Sequence, residues 1–249
     1  MTGIFQTKLP YDPMAPRPLP GIQPLDPATW LQVDDAYAAQ MAERARLLRD
    51  RRDDVLCVRP EGRKAADELL QYVLDWLAEH GQGYGISAKE VTRPDGVRIA
   101  LNRDDPMGTL GHLVQEDLCL MDKQGEEHVL TAAVLCFPAS WRLADKIGRS
   151  LTGIHVPVPD YDDSLARRVQ RLFDGVQVGR PLWRFNALRY AGAELFQPRS
   201  RMVPKEPAEA DARYPYLRTE RQCVLRLPET RACVFSIHTY VLRMDTNQP

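Results

Sequence analysis

The spacing of apolar and polar positions divides the chain into helical stretches near its start and strand-like stretches toward its end. From Asp35 to Arg52, Tyr37, Met41, Leu47 and Leu48 interrupt a charged face, which predicts an amphipathic helix with a solvated, arginine-rich end. Residues 64–79 repeat the pattern at Leu69, Val73, Trp76 and Leu77, and the turn at Gly81 and Gly83 ends that helix. Thr92 to Ala100 holds a Pro-Asp-Gly turn. Two strand-like runs follow, around Leu113 to Met121 and Val129 to Phe137, with DKQGEE between them as a hairpin turn. The second run is nearly all apolar, which predicts a central strand buried on both faces. Gln115, Glu116 and Asp117 break the first run, and they read either as an exposed strand edge or as support for a pocket.

Further along, Leu165, Val169, Leu172, Phe173 and Val176 recur at helical spacing, with Arg167, Arg168 and Arg171 on the solvated side. Residues 181–190, PLWRFNALRY, predict a strand, and the stretch from there to Tyr216 predicts a long loop with some helix. The last run, LRTERQCVLRLPETRACVFSIHTYVLRM, predicts two alternating strands joined by a turn at Pro228 to Arg231. Ahead of everything, residues 1–29 carry seven prolines and few periodic apolar positions, which predicts an irregular arm along the domain surface. The order of elements predicts an α+β fold, in which an antiparallel sheet has helices inserted between its second and third strands. The expected organisation is an arm over 1–29 and a single domain over 30–249.

Composition removes several function classes. The net charge of −1 over 249 residues leaves no electrostatic footprint for nucleic acid. No apolar run approaches the roughly 20 residues of a membrane span, and no basic start leads into an apolar secretory signal. The five cysteines form no CxxC pair and no CxxCH haem-attachment motif. They are expected to be reduced thiols in a cytoplasmic protein, with Cys119, Cys136, Cys223 and Cys233 acting as small buried hydrophobes. No glycine-rich phosphate loop follows a strand, and no GxSxG elbow is present.

The stretch Trp141 to Asp163, WRLADKIGRSLTGIHVPVPDYDD, isolates a single histidine. Gly153 is expected to end a helical segment, and Pro157 and Pro159 to keep Ile154 to Pro159 extended, so that the His155 imidazole points in a fixed direction. Such a histidine serves either as a hydrogen-bonded loop residue or as a metal ligand. Asp160, Asp162 and Asp163 offer N-cap carboxylates to a helix starting near Ser164.

Four segments together resemble the haem-dependent oxidative N-demethylase family: DPATWLQVDDAY, FPASWRLADKIGRSLTGIHVPVPDYDDSL, WRFN and LRTERQCVLRLPETRACVFSIHTY. The resemblance covers roughly residues 25–242. It implies a haem b held in a PAS-like antiparallel sheet with inserted helices and a helical N-terminal extension. It also implies oxygen-dependent oxidation of an N-methyl group on a small amine such as dimethylamine, releasing formaldehyde. His155 becomes the expected iron ligand, with His238 the principal rival and His112 and His128 as further alternatives. Lys146, Arg149 and Arg184 become candidates to hold the haem propionates. Ala187 follows WRFN where the family pattern has a large aromatic, a departure that would change pocket volume.

A cationic amine held away from water needs a carboxylate or an aromatic face. Strand alternation puts Arg218, Glu220 and Gln222 on one face, so Glu220 is the candidate to anchor the amine or take its proton, with Arg218 and Gln222 beside it. The chain holds no flavin or iron–sulfur motif, so electrons are expected from an external flavin and iron–sulfur reductase. Alternatives of another class are a non-catalytic haem-binding PAS-like sensor or interaction module, and a haem-free structural subunit.

Overall fold

The computed structural model describes residues 3–15, 21–155, 163–199 and 214–244. A two-residue strand, β1 (Gln23–Pro24), precedes helices α1 (Tyr37–Asp50) and α2 (Arg52–Val55) and the edge strand β2 (Leu56–Val58). Helix α3 (Arg63–His80) buries Leu69, Val73 and Leu77 as its periodicity predicts, together with Leu70 and Leu74, while Trp76 is only partly buried. A small antiparallel sheet follows, made of β3 (Gly85–Ile86), β4 (Glu90–Thr92) and β5 (Arg98–Ala100).

The first strand-like run of the sequence divides in two. Asp105 accepts the Gly108 N–H at 3.2 Å and Pro106 opens a helix, so Pro106–Leu113 forms α4. Leu113 therefore ends a helix, and the strand β6 spans Asp117–Gln124. Gly111 lets α4 press into the core, since a Cβ there would lie 2.7 Å from Val134 Cγ2 and 2.9 Å from Leu48 Cδ1. The turn at Gly125 then leads into β7 (Glu127–Val134).

Between β7 and the next strand come two helices, α5 (Leu151–His155) and α6 (Asp163–Gly175). Here the extended segment expected from Ile154 onward gives way to helix. Ser150 accepts the Gly153 N–H on Oγ at 3.3 Å and the Ile154 N–H on its carbonyl at 2.8 Å, so it caps a helical turn that carries Gly153 inside it. Residues 156–162, with Pro157, Pro159, Asp160 and Asp162, lie outside the described residues. The chain returns to the sheet with β8 (Leu182–Tyr190), β9 (Tyr216–Arg226) and β10 (Cys233–Arg243).

The main sheet is antiparallel throughout, in the order β1-β8-β9-β10-β6-β7-β2. The β9–β10 hairpin is in continuous register from Arg226↔Cys233 to Tyr216↔Arg243. Its tip is pinned to α3, because Glu68 accepts the Glu229 and Thr230 N–H groups at 2.7 and 2.8 Å. Both faces of the sheet are covered. On one, Leu118, Leu120, Leu225 and Val234 pack with Leu48, Leu69 and Leu110 of the helical layer α1, α3 and α4. On the other, Cys119, Met121, Val224 and Ile237 pack with Leu151, Ile154 and Phe173 of α5 and α6.

Arm residues 3–15 lie across the first face, with Gln6 bonded to the Val241 backbone in both directions and Tyr11 stacked on Phe185 at 4.5 Å. All five cysteines are free thiols, four of them buried. No helix among the described residues is long and apolar enough to cross a membrane.

Candidate functional site

Helices α5 and α6 do not seal completely onto the sheet. Between them lies a cavity of about 250 Å³. Its floor is the strand face bearing Cys119, Met121, Val224, Phe235 and Ile237. Leu151, Ile154, Val169, Leu172 and Phe173 form its roof. This is an apolar slot, and the Cys119 thiol within it is pushed up to about 12 by burial and by the nearby Asp117 charge, which keeps it protonated.

One end of the slot is polar, and sheet register builds it. Arg184 pairs with Gln222 and Asn186 with Glu220 across β8 and β9. Alternation then sets Arg184, Glu220 and Gln222 into the cavity lining. Asn186 Nδ2 and Gln222 Nε2 donate to Glu220 Oε2 at 3.0 and 3.1 Å, and Asn186 Oδ1 accepts the Glu220 N–H at 3.1 Å. Arg218 Nη2 stands 3.5 Å from Glu220 Oε1. Glu220 is thus a carboxylate held in place by donors from three residues, with its side chain still reaching the cavity. The Arg184 guanidinium is lowered in pKa by burial, which the Glu220 charge partly offsets, and its buried Nε has no hydrogen-bond partner among the described residues. Lys146 also lines the cavity, its Nζ 4.0 Å from the Trp141 ring centroid.

Several sequence candidates lie elsewhere. Arg149 is exposed and does not line the cavity. Arg218 lies behind Glu220, donating to the Leu195 carbonyl at 2.9 Å and to the Phe137 carbonyl, so it braces the carboxylate from outside the cavity lining. Ala187 pairs with Thr219, on the strand face opposite Arg184 and Asn186, so its small side chain leaves the cavity volume unchanged. His112 lies in the last turn of α4 in the helical layer, and the His128 ring contacts Gln170 Nε2 at 2.8 Å. His155 closes α5 directly after Ile154, a cavity-lining residue, and its side chain lies outside the described residues. Sequence reasoning missed Asn186 and Trp141. Alternation within WRFN puts Asn186 on the face of Arg184, a signal that was present.

His238 is on the opposite face of the sheet. It is 1% exposed, with Nδ1 at 3.0 Å from Glu116 Oε1 and Nε2 at 3.0 Å from Asp34 Oδ2. Both ring nitrogens are committed, and neither reaches the cavity. The same network buries Gln115, Glu116 and Asp117, which are therefore interior residues and not an exposed strand edge. Burial alone lowers the His238 pKa, but the hydrogen bonds and charges of Asp34 and Glu116 outweigh it and raise the value to about 9. With the folded value above the ordinary one of about 6.5, this contribution to stability is complete below about pH 6.5 and is lost as pH rises through about 9. Urea unfolding is expected to show a decline of about 3 kcal/mol from this group between pH 6.5 and 10, absent in His238→Gln.

A family profile described as haem-dependent oxidative N-demethylase, alpha subunit-like, matches residues 21–248. The chain belongs to this family. A haem-dependent member needs apolar walls for the macrocycle, donors for two propionates and an axial ligand. The cavity described above has apolar floor and roof, and in its lining Arg184, whose buried Nε has no hydrogen-bond partner among the described residues, and Lys146 suit an anionic edge. Among the described residues no three His, Cys, Asp or Glu side chains gather into a metal site. The walls and the two cations suit a haem on the first two counts, and no described side chain of the lining is a histidine.

Proposed function

We propose that this chain is the haem-binding catalytic subunit of an oxidative N-demethylase acting on a small methylated amine. The observation that carries the reading is the slot between the sheet and α5 and α6, apolar along both walls and closed at one end by Arg184, Glu220 and Gln222. A PAS-like assignment is supported by the strand order β7-β6-β10-β9-β8 and by the helices between β7 and β8. When bound, haem b would supply the redox centre at which an N-methyl carbon is oxidised with oxygen. Arg184 and Lys146 would hold its propionates, and His155, at the end of the cavity-lining α5, would hold its iron.

Glu220 is the residue that would meet the amine. A dimethylammonium ion entering an apolar slot loses hydration, and a fixed carboxylate offsets that cost. Asn186, Gln222 and Arg218 hold the carboxylate so that it need not reorganise when the amine arrives. From there Glu220 can accept the ammonium proton, giving the neutral amine that oxidation requires. Electrons would come from a flavin and iron–sulfur partner, in keeping with a family named for an alpha subunit.

Purified protein expressed with ample haem is expected to show a Soret band, and to form formaldehyde from dimethylamine once a reductase is added. Colourless protein under those conditions would overturn the reading. His155→Ala is expected to abolish or strongly shift the band, because the endogenous axial bond is gone. An unchanged band in a folded variant would remove His155 from the ligand role.

A further inference from the structure

Helix α6 has two faces with different tasks. Val169, Leu172 and Phe173 look into the cavity, while Arg167, Arg168 and Arg171 are exposed on the outer side. The outer arginines make no ion pair among the described residues. Other exposed arginines are of both kinds: Arg46, Arg49, Arg51, Arg52, Arg59 and Arg63 each stand within ion-pair distance of a carboxylate, whereas Arg142, Arg180, Arg189 and Arg231 have no ion pair among the described residues. Asp174, the acidic residue in the last turn of α6, is already paired with Lys123. Between residues 139 and 190 the sequence holds nine Lys and Arg against five Asp and Glu, in a chain whose net charge is only −1. The stretch of chain that carries α5 and α6 is therefore net positive.

We infer that the outer face of α6, through Arg168 and Arg171 with Arg167 beside them, is the docking surface for a small acidic electron-transfer protein. The inference rests on the proposed haem in the cavity. A helix with its side chains is about 10–12 Å across, so a partner seated on this face lies within one helix thickness of the slot. Exposed arginines there attract an acidic surface at long range and orient it before contact. Because each guanidinium is already in water, their charge is available to steer a partner at little desolvation cost.

The test uses the full chain and an acidic [2Fe–2S] ferredoxin as probe, with binding measured by calorimetry at low and high ionic strength and haem content read from the Soret band. Arg168→Glu/Arg171→Glu is expected to weaken ferredoxin binding about 10-fold or more at low salt, with Arg168→Gln/Arg171→Gln in between. The difference should vanish near 1 M salt, where the Debye length is about 3 Å. Reduction of bound haem by the ferredoxin should slow in parallel, while reduction by dithionite and the Soret band stay unchanged. Equal binding by parent and charge-reversed protein, or no binding by the parent at low salt, overturns the docking surface whatever the haem content. A missing Soret band with intact, charge-dependent binding sinks the haem reading and leaves the docking surface standing.

Discussion

Glu220→Gln is expected to leave haem binding intact while weakening dimethylamine binding and lowering turnover about 100-fold or more, the scale of losing a positioned proton acceptor. The amide has the shape of the carboxylate and can keep part of the hydrogen-bonding to Asn186 and Gln222, so the strand pairing around it should survive. What it lacks is charge. Without that charge a desolvated ammonium ion has no counter-ion in the lining, since the other charged side chains that line the cavity, Arg184 and Lys146, are cationic. The measurements are the Soret band, a spectral titration with dimethylamine and formaldehyde release. Parent-like amine affinity and parent-like formaldehyde release would make Glu220 a structural residue. Glu116 could not replace it, because it is buried against His238 on the other face of the sheet.

Arg44→Met is expected to cost about 3–5 kcal/mol of stability, the loss typical of stranding a buried charge. Arg44 is fully buried on α1 and holds Asp117 at 2.6 Å, while its Nε and Nη1 donate to the Gly111 and Gln115 carbonyls at 3.1 and 3.2 Å. Asp117 in turn accepts the Cys136 and Phe137 N–H groups at 2.7 and 2.8 Å. One ion pair therefore joins α1, the end of α4, the start of β6 and the chain leaving β7. Methionine fills the volume but leaves the carboxylate with only two neutral donors and the two carbonyls with none from this side chain. Urea unfolding should show a lower midpoint with an unchanged slope. A loss below about 1 kcal/mol would mean that water reaches Asp117 once the guanidinium is gone.

Much of the helical layer and the last hairpin was legible because both follow from local periodicity. Leu69, Val73 and Leu77 recur at helical spacing and are the stripe α3 buries, and the alternation around Cys223 and Val234 reappears as the β9–β10 register. The same reasoning misread Leu113. Its neighbours are apolar enough for a strand, but Asp105 and Pro106 upstream carry the capping chemistry that starts α4 and extends it to Leu113. It also misjudged Gly153, where Ser150 supplies a cap that makes one more helical turn favourable.

The sequence by itself determined which side chains share a face: Arg218, Glu220 and Gln222 on one side of β9, and His238 with Tyr240 on one side of β10. Which of those faces meets the cavity was decided only by tertiary structure. Both sides of this sheet are covered, so polar residues on either side can be interior and alternation carries no label for inward. The helical layer took the side with His238, where Asp34 and Glu116 from distant segments enclose the imidazole. Helices α5 and α6 took the side with Glu220, so that Arg184, Glu220 and Gln222 line one cavity with the apolar residues of both helices.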